Sequence, residues 1–555
     1  MHQTAARKHL IDTRSHALFY PLALGAGAIY PLGFAPFNLW PLTLLSVFLL
    51  IFAIDRTRKQ SGFVSFLLFF LFSLGKHGIG TSWVYESFVM LGEIPANMMV
   101  VLIVLYLIAN SLLFSIVMIV ANLVVKRTAA RGRINLTSVS VLVGWVCFEI
   151  STLLVSFDLA FPWLLLGYSL IDTWLAGFAP VGGVLLVSLM ALLIVVGIYE
   201  VGRTRAASVL LIGAPWIVGA YLSNIEWTRP YDEVKVAMVQ SNVTQTDKLL
   251  ESRAPPEDRP RDTSLVRHTR ITADIEEDVD WIFWPESAIP FPITASGPNV
   301  EYLQSIADHV EATLIVGTFF GMDFRDGRRE VYNAALVFEE DSEKFQYYLK
   351  IKLVPFGEYV PFRFLFEWIG ETLDIPLSIV ESGSDRQEPF ELNDVNLSVS
   401  ICYEIAFPSV VVQRAHDSDI IATISEDGWF GRTIAPHQHL QIARMRALET
   451  GKYLLRTTSS GITGIVNPKG RMVKMVPPYE AHVLIETVPL IEGNTPYSNF
   501  MNSIVFKLIF ENVFAAIFGS FAIFGILMQL LLTGRKADEA EEEVLDEDDW
   551  GDVRE

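Results

Sequence analysis

Ser398-Val399-Ser400-Ile401-Cys402-Tyr403-Glu404 carries a strand pattern into a thiol. Residues 397–401 alternate as a strand does, and the alternation stops at Cys402. The chain holds two cysteines, and the other, Cys147, lies inside an apolar run of membrane-spanning length. Cys402 therefore has no obvious disulfide partner. A lone thiol at a strand end is either a small buried hydrophobe or a candidate nucleophile, and its surroundings decide between the two.

Those surroundings form a segment of its own kind, residues 228–496. Short apolar runs recur at 234–239, 281–284, 313–317, 334–338, 397–401 and 420–424, with helical periodicity at 300–311 and 437–451. Short strands interleaved with helices predict a layered α/β domain. Open α/β sheets place their chemistry just past the strand ends, and Glu286, Lys350 and Cys402 all stand there. Singly, Glu286 reads as a loop carboxylate and Lys350 as a surface lysine beside Lys352. Together they suit acyl transfer: a carboxylate takes the thiol proton, and an ammonium stabilises thiolate and oxyanion, with the Tyr403 N–H as second donor. This chemistry needs neither metal nor cofactor. The only close histidine pair, His437 and His439, opens a helix pattern with no acidic residue nearby in sequence, so structural or site-lining histidines are expected.

Outside this segment the chain is too apolar for a soluble globule. Runs long enough to cross a bilayer lie near 17–34, 39–54, 62–80, 96–125, 138–156, 182–200, 206–223 and 506–532, which predicts eight spans. The first two are short and joined by Gly33-Phe34-Ala35-Pro36-Phe37, consistent with a bent pair. Basic residues cluster at 7–14, 56–59, 126–133, 203–205 and 535–536, in every second connection; the connections at 81–95 and 157–181 contain none. The positive-inside rule then puts both termini in the cytoplasm and residues 228–496 outside. A cleaved signal peptide would place every later basic loop on the wrong side, so the first span is expected to be retained. Ionisable residues in the spans are few, chiefly Glu149 and Lys76-His77. The net charge of −20 owes much to the acidic stretch from Asp538 to Glu555, expected to be a disordered tail. No basic patch argues for nucleic acid.

Longer blocks add a resemblance. Trp284-Pro285-Glu286-Ser287-Ala288, then Lys350-Ile351-Lys352-Leu353-Val354-Pro355-Phe356-Gly357-Glu358, then Ile401-Cys402-Tyr403-Glu404, resemble the nitrilase superfamily of carbon–nitrogen hydrolases. The extension through Tyr359-Val360-Pro361, Asp427-Gly428-Trp429-Phe430-Gly431, Pro436-His437-Gln438-His439 and residues 443–449 is similar to one membrane-bound family within it, the apolipoprotein N-acyltransferases. Residues 80–85 and 161–164 add weaker support. The resemblance implies a multi-pass α-helical membrane domain of eight spans plus an exported αββα sandwich. The corresponding boundaries are 1–227, 228–496, 497–534 for the last span and 535–555 for the tail. It implies Glu286 as base, Lys350 as charge stabiliser and Cys402 as nucleophile, with Glu358, Tyr403 and Glu404 in support and Trp429 and Phe430 at the pocket. Trp83 and Trp163, with Tyr85, would form an interfacial floor for lipid. The implied partners are a phospholipid acyl donor and a diacylglyceryl-cysteine apolipoprotein acceptor at the bacterial inner membrane, in the last step of lipoprotein maturation; a monomer is expected. Glu426, where the family usually has Asn, and Leu249, where it often has an aromatic residue, depart from the pattern, and the resemblance implies that they alter the grip on acyl chain or acceptor. The dense run 361–369 reads either as an arm dipping into the interface or as packing within the chain. Two rivals remain: a membrane-anchored amidase or nitrilase that passes its thioester to water, and a transporter or receptor with a non-reactive outer domain.

Overall fold

The computed structural model describes residues 17–506 except 92–95, 129–134, 155–160, 256–257, 259–261, 325–326 and 360–379. The run 361–369, the span at 506–532 and the acidic tail thus lie outside the described residues, save Phe506.

The apolar N-terminal runs form α1 (Phe19–Ile29), α2 (Trp40–Thr57), α3 (Gly62–Gly80), α4 (Val84–Leu91), α5 (Ala96–Thr128), α6 (Leu136–Leu154), α7 (Ala179–Glu200) and α8 (Arg205–Leu222). Among the described residues, six helices are long and apolar enough to cross a membrane: α2, α3, α5, α6, α7 with the turn before it, and α8. The first expected span differs. It is an 11-residue helix, α1, continued by a short 3-10 turn at Tyr30–Gly33, too short by itself for that length. Along α5 the side chains of Val101, Leu105, Ile108 and Leu112 are exposed, as are Val209, Ile217 and Tyr221 on α8. Such apolar surface suits lipid contact. At one end of the bundle Asp55, after which Arg56 and Arg58 follow, lies 3.6 Å from Arg203, and Glu200 accepts from Ser138 at 2.8 Å.

Among the described residues the second part contains two sheets. Seven strands, β1 (Arg229–Gln240), β2 (Trp281–Phe283), β3 (Ile289–Thr294), β4 (Thr313–Asp323), β5 (Arg329–Phe338), β6 (Gln346–Leu349) and β13 (His482–Glu492), are ordered β13-β1-β2-β4-β5-β6, with β3 beside β4. Six more, β7 (Phe390–Leu392), β8 (Val395–Ile401), β9 (Ile420–Ser425), β10 (Leu454–Thr458), β11 (Gly464–Val466) and β12 (Met472–Met475), are ordered β12-β11-β10-β9-β8-β7. The central strands β1-β2-β4 and β8-β9-β10 are parallel. Strand alternation builds the layers. Val236 and Met238 of β1 join Phe283, Ile315, Val399 and Ile401 in a core between the sheets. Ala237 and Val239 point the other way, to a core shared with Leu303 and Ile306 of α11 (Pro298–Val310). Before it come α9 (Gln245–Arg253) and α10 (Ser264–Ala273). The outer face of the six-stranded sheet carries α12 (Pro408–Ala415) and α13 (Ala435–Thr450); α14 (Pro496–Met501) follows β13. The four layers are helix, sheet, sheet, helix, as expected.

The helix α13 joins the two parts. Ala443, Met445 and Ala447 share one core with Trp145, Leu166 and Tyr168 of the membrane part. Helix α7 breaks at Gly182-Gly183, and Gly183 has φ +68°. The break frees the Val184 N–H, which donates to the Glu449 carboxylate of α13 at 2.7 Å. A carboxylate thus satisfies a new helix start inside the protein. Glu449 is in turn paired with Arg446 at 3.0 Å.

Candidate active site

The strand ends converge as the sequence predicts. Glu286 follows β2, where Trp284 N–H still donates to Ile315 at 2.8 Å and Ser287 turns the chain with φ +51°. Lys350 follows β6. Its Nζ donates to Glu286 Oε1 at 3.0 Å and to Glu358 Oε1 at 2.9 Å. Cys402 follows β8 with φ +51°, a conformation that costs free energy in any residue with a β-carbon and holds the thiol away from the regular strand path. The thiol lies beside the Glu286 carboxylate, close enough that each shifts the pKa of the other.

One carboxylate ties the two sheets beneath this group. Glu404 is fully buried. Its Oε2 accepts from Ile401 N–H at 2.7 Å, at the end of β8. Its Oε1 accepts from Ile351 N–H at 2.6 Å, Lys352 N–H at 3.2 Å and the Tyr348 hydroxyl at 2.9 Å, all beyond or within β6. The backbone that carries the thiol and the backbone that carries the ammonium therefore share an anchor. On the other side, His439 Nε2 lies 3.1 Å from the Cys402 carbonyl oxygen, and its Nδ1 lies 3.1 Å from both Asp427 Oδ1 and Arg456 Nη2. Burial and Arg456 lower the His439 pKa, so the ring is neutral.

Electrostatics set the resting protonation state. Burial pushes the Glu286 carboxyl up, but the Lys350 charge and hydrogen bonds from Lys350, Asn333 and Cys402 outweigh it and hold it below the ordinary range. Burial pushes the Cys402 thiol up, and Glu286 adds to this against the pull of Lys350. Burial lowers the Lys350 pKa, but the flanking carboxylates Glu286 and Glu358 raise it above its usual value. The resting set is carboxylate, ammonium and neutral thiol.

The group stands at the head of a cavity of about 500 Å³. Glu286, Lys350, Cys402, Glu358, Tyr403, Trp429, Phe430, Trp83 and Trp163 all line it, so nine of the ten residues singled out in the sequence meet in one place. The tenth, Glu404, lies behind it. The far wall is membrane helix: Leu102, Leu105, Ala109 and Leu112 of α5 face the same space. The volume is that of an ordinary small-molecule site, and its lining is mainly apolar.

Three details differ from expectation. Trp83 and Trp163 are buried rather than spread at an interface; their rings lie 5.0 Å apart, and both indole N–H groups donate to Gln438 Oε1, at 3.2 and 2.8 Å. Trp83 also packs edge-on against Phe430 at 4.9 Å. His439 does have an acidic neighbour, Asp427, brought near by folding across a turn rather than by sequence. Glu426 does not line the cavity at all; it is buried beneath the triad. Asn333 was missed. Its Nδ2 donates to both Glu286 Oε1 and Glu358 Oε1 at 2.7 Å. A lone amide in the apolar run of β5 was the available signal.

Comparison with known proteins agrees with this geometry. Residues 26–198 match the apolipoprotein N-acyltransferase N-terminal domain, and residues 235–492 match the carbon-nitrogen hydrolase family. Apolipoprotein N-acyltransferase of Pseudomonas aeruginosa is 33% identical over 86% of this chain and 91% of its own length. The Azotobacter vinelandii protein of that name is 33% identical over 86% and 90%, and the Vibrio cholerae one 32% over 87% and 94%. With a thiol site of this composition opening onto membrane helices, the chain belongs to the apolipoprotein N-acyltransferase family.

Proposed function

We propose that this protein moves a fatty acyl group from a phospholipid to the α-amino group of an S-diacylglyceryl cysteine at the N-terminus of an apolipoprotein. One observation carries this reading: the thiol, carboxylate and ammonium head an apolar cavity whose other wall is a membrane helix. A soluble C–N substrate needs no such wall.

In the first half-reaction Glu286 accepts the Cys402 proton as the sulfur attacks the acyl ester carbon. Because the carboxylate is held low and the thiol high, thiolate does not accumulate; proton transfer and attack run together. Lys350 stabilises the tetrahedral oxyanion, aided by the Tyr403 N–H. The C–O bond breaks, and the leaving lysophospholipid oxygen takes the proton from Glu286. In the second half-reaction the acceptor amine attacks the thioester and gives a proton to Glu286. The C–S bond breaks, the amide leaves, and the sulfur recovers its proton. Glu358, Tyr403 and Glu404 support these groups, and Trp429, Phe430, Trp83 and Trp163 shape the lipid pocket.

The proposed orientation has both termini in the cytoplasm of a bacterial inner membrane and residues 228–496 in the periplasm. The basic positions near Arg56, Arg58 and Arg203 gather at one end of the bundle and the cavity tryptophans meet α13 elsewhere, which supports it. A reporter fused after Lys536 is expected to be active only in the cytoplasm.

Enzyme mixed with phospholipid alone should release about one lysophospholipid per active site and then stall. A diacylglyceryl peptide with a free amine should restart turnover. Cys402→Ala and Glu286→Gln should give no burst, whereas Cys147→Ser should give a normal one. Continuous release without acceptor would favour the hydrolase instead, and a burst in Cys402→Ala would remove the nucleophile assignment.

A further inference from the structure

Glu426 follows β9 and begins the turn that carries Trp429 and Phe430. Its backbone N–H donates to Glu286 Oε2 at 2.9 Å, and the same amide pulls the Cys402 thiol pKa down. This amide thus holds the Glu286 carboxylate beside the thiol. It stays aimed at Glu286 only if its peptide plane is fixed. The Glu426 side chain does the fixing. Oε1 accepts from the Gly428 N–H at 2.9 Å, closing the turn, and Oε2 accepts from Lys248 Nζ. Lys248 projects from α9, and its Nζ lies 3.4 Å from the Glu286 carbonyl oxygen. One ammonium therefore joins the segment after β2, the segment after β9 and a helix. The two side chains are 2% and 1% exposed, and neither lines the cavity.

We propose that the Lys248–Glu426 ion pair is a positioning element of the acyl-transfer site: it holds the Glu426 amide between Glu286 and Cys402, and each member cancels the charge of the other beside the thiol. The proposal rests on Cys402 being the nucleophile. Charge cancellation matters because the neighbourhood is crowded. Glu286 and Lys350 face the pair from the seven-stranded sheet, Asp427 and Arg456 from the six-stranded side, and His268 of α10 lies near Lys248. Burial pushes the Glu426 carboxyl up while Lys248 pulls it back. A carboxylate or ammonium left unpaired here has no water to screen it. An Asn or Gln at 426 could close the turn but would leave Lys248 without a counter-ion.

The test separates position from charge. Lys248→Met, Glu426→Gln and the double variant are prepared in the full-length protein. The burst rate with phospholipid and the rate of Cys402 alkylation by iodoacetamide are measured against pH. The single variants should shift both profiles in opposite directions, Lys248→Met to higher pH and Glu426→Gln to lower. The double variant should return the profile to its parental position yet keep a plateau at least fivefold lower, because the amide is no longer held. Coincident profiles for the parent and both single variants would overturn the proposal, as would a double variant with the full parental plateau. Lys248→Arg keeps the charge and changes the donor; it should lower the plateau without moving the profile, and serves if Lys248→Met does not fold. Parental protein that alkylates at Cys402 but gives no burst would instead count against the acyl-transfer reading itself.

Discussion

Asn333→Leu tests the electrostatics of the site with little change of volume. Asn333 is buried, and its Nδ2 donates to Glu286 Oε1 and Glu358 Oε1 at 2.7 Å each. A hydrogen bond to a charged acceptor contributes about 1.5–3 kcal/mol, and about 1.36 kcal/mol corresponds to one pKa unit. Losing the bond to Glu286 should therefore raise its carboxyl by about one to two units. In the parent this carboxyl is held below its ordinary value, so the base form is present from mildly acid pH upward. In the variant the acid limb of the burst rate should move up by about one to two pH units. The plateau above it should keep its order of magnitude, since Lys350 and Cys402 remain. Stability gives a second readout. A depressed carboxyl contributes stability that is present above the unfolded pKa and lost as pH falls through the folded one. Raising the folded value makes that loss begin at higher pH, and the two lost bonds cap the destabilisation at neutral pH near about 6 kcal/mol. Rapid-quench measurement of lysophospholipid between pH 4 and 9, with thermal unfolding in detergent, supplies both numbers. An acid limb at the parental pH, in a variant that folds, would refute the assignment of Glu286 as the base that Asn333 tunes.

Glu404→Gln should lower thermal stability and burst rate together, because an amide nitrogen must face at least one of four donors; about 3 kcal/mol is expected, read by unfolding in detergent. Gly183→Ala should destabilise by about 2–4 kcal/mol, since its φ is +68° and the added β-carbon would sit 2.5 Å from the Tyr497 ring; a melting curve unchanged from the parent would contradict the close packing of α7 on α14. Gln438→Leu should raise the lipid concentration needed for half-maximal burst by roughly tenfold, because both cavity tryptophans lose their shared acceptor, worth about 1 kcal/mol per bond.

The layers of the fold and the meeting of Glu286, Lys350 and Cys402 were legible because each depends on local pattern. Strand alternation placed β1, β2, β4, β5, β8 and β9, and Glu286, Lys350 and Cys402 each close a strand or follow one. Strands with little apolar signal of their own were not singled out. β12, mostly exposed, and β3, interrupted by Pro290 and Pro292, depend on their partners. The supporting shell was hidden for another reason. Asn333, Gln438 and Lys248 act at separations from 25 to 355 residues from the groups they hold. Nothing in their neighbours in sequence marks them, and only closure of the two sheets and of α13 onto the membrane helices brings them to the site.

The same closure explains how a nitrilase-type site can favour an amine over water. Its polar half comes from strand ends, and its carboxylates are committed: Glu286 accepts from Lys350, Asn333 and the Glu426 amide, and Glu404 from three backbone N–H groups and the Tyr348 hydroxyl. Its other half is mainly apolar, built from α4, α5 and the rings of Trp83, Phe161, Trp163 and Phe430, with the Ser87 and Tyr106 hydroxyls among them. A water molecule entering that half finds few partners, so a thioester on Cys402 would sit where water is scarce and lipid is not. An acceptor that carries its own acyl chains gains by burying them against the same wall, which brings its amine to the thioester. On the proposed mechanism the membrane helices would select the nucleophile of the second half-reaction, while the strand ends would supply the chemistry. Shaving the wall with Leu105→Ser and Leu112→Ser should therefore leave the first burst nearly intact but raise the slow release that follows it without acceptor, by several-fold. Equal loss in both phases would place the selectivity at the triad instead.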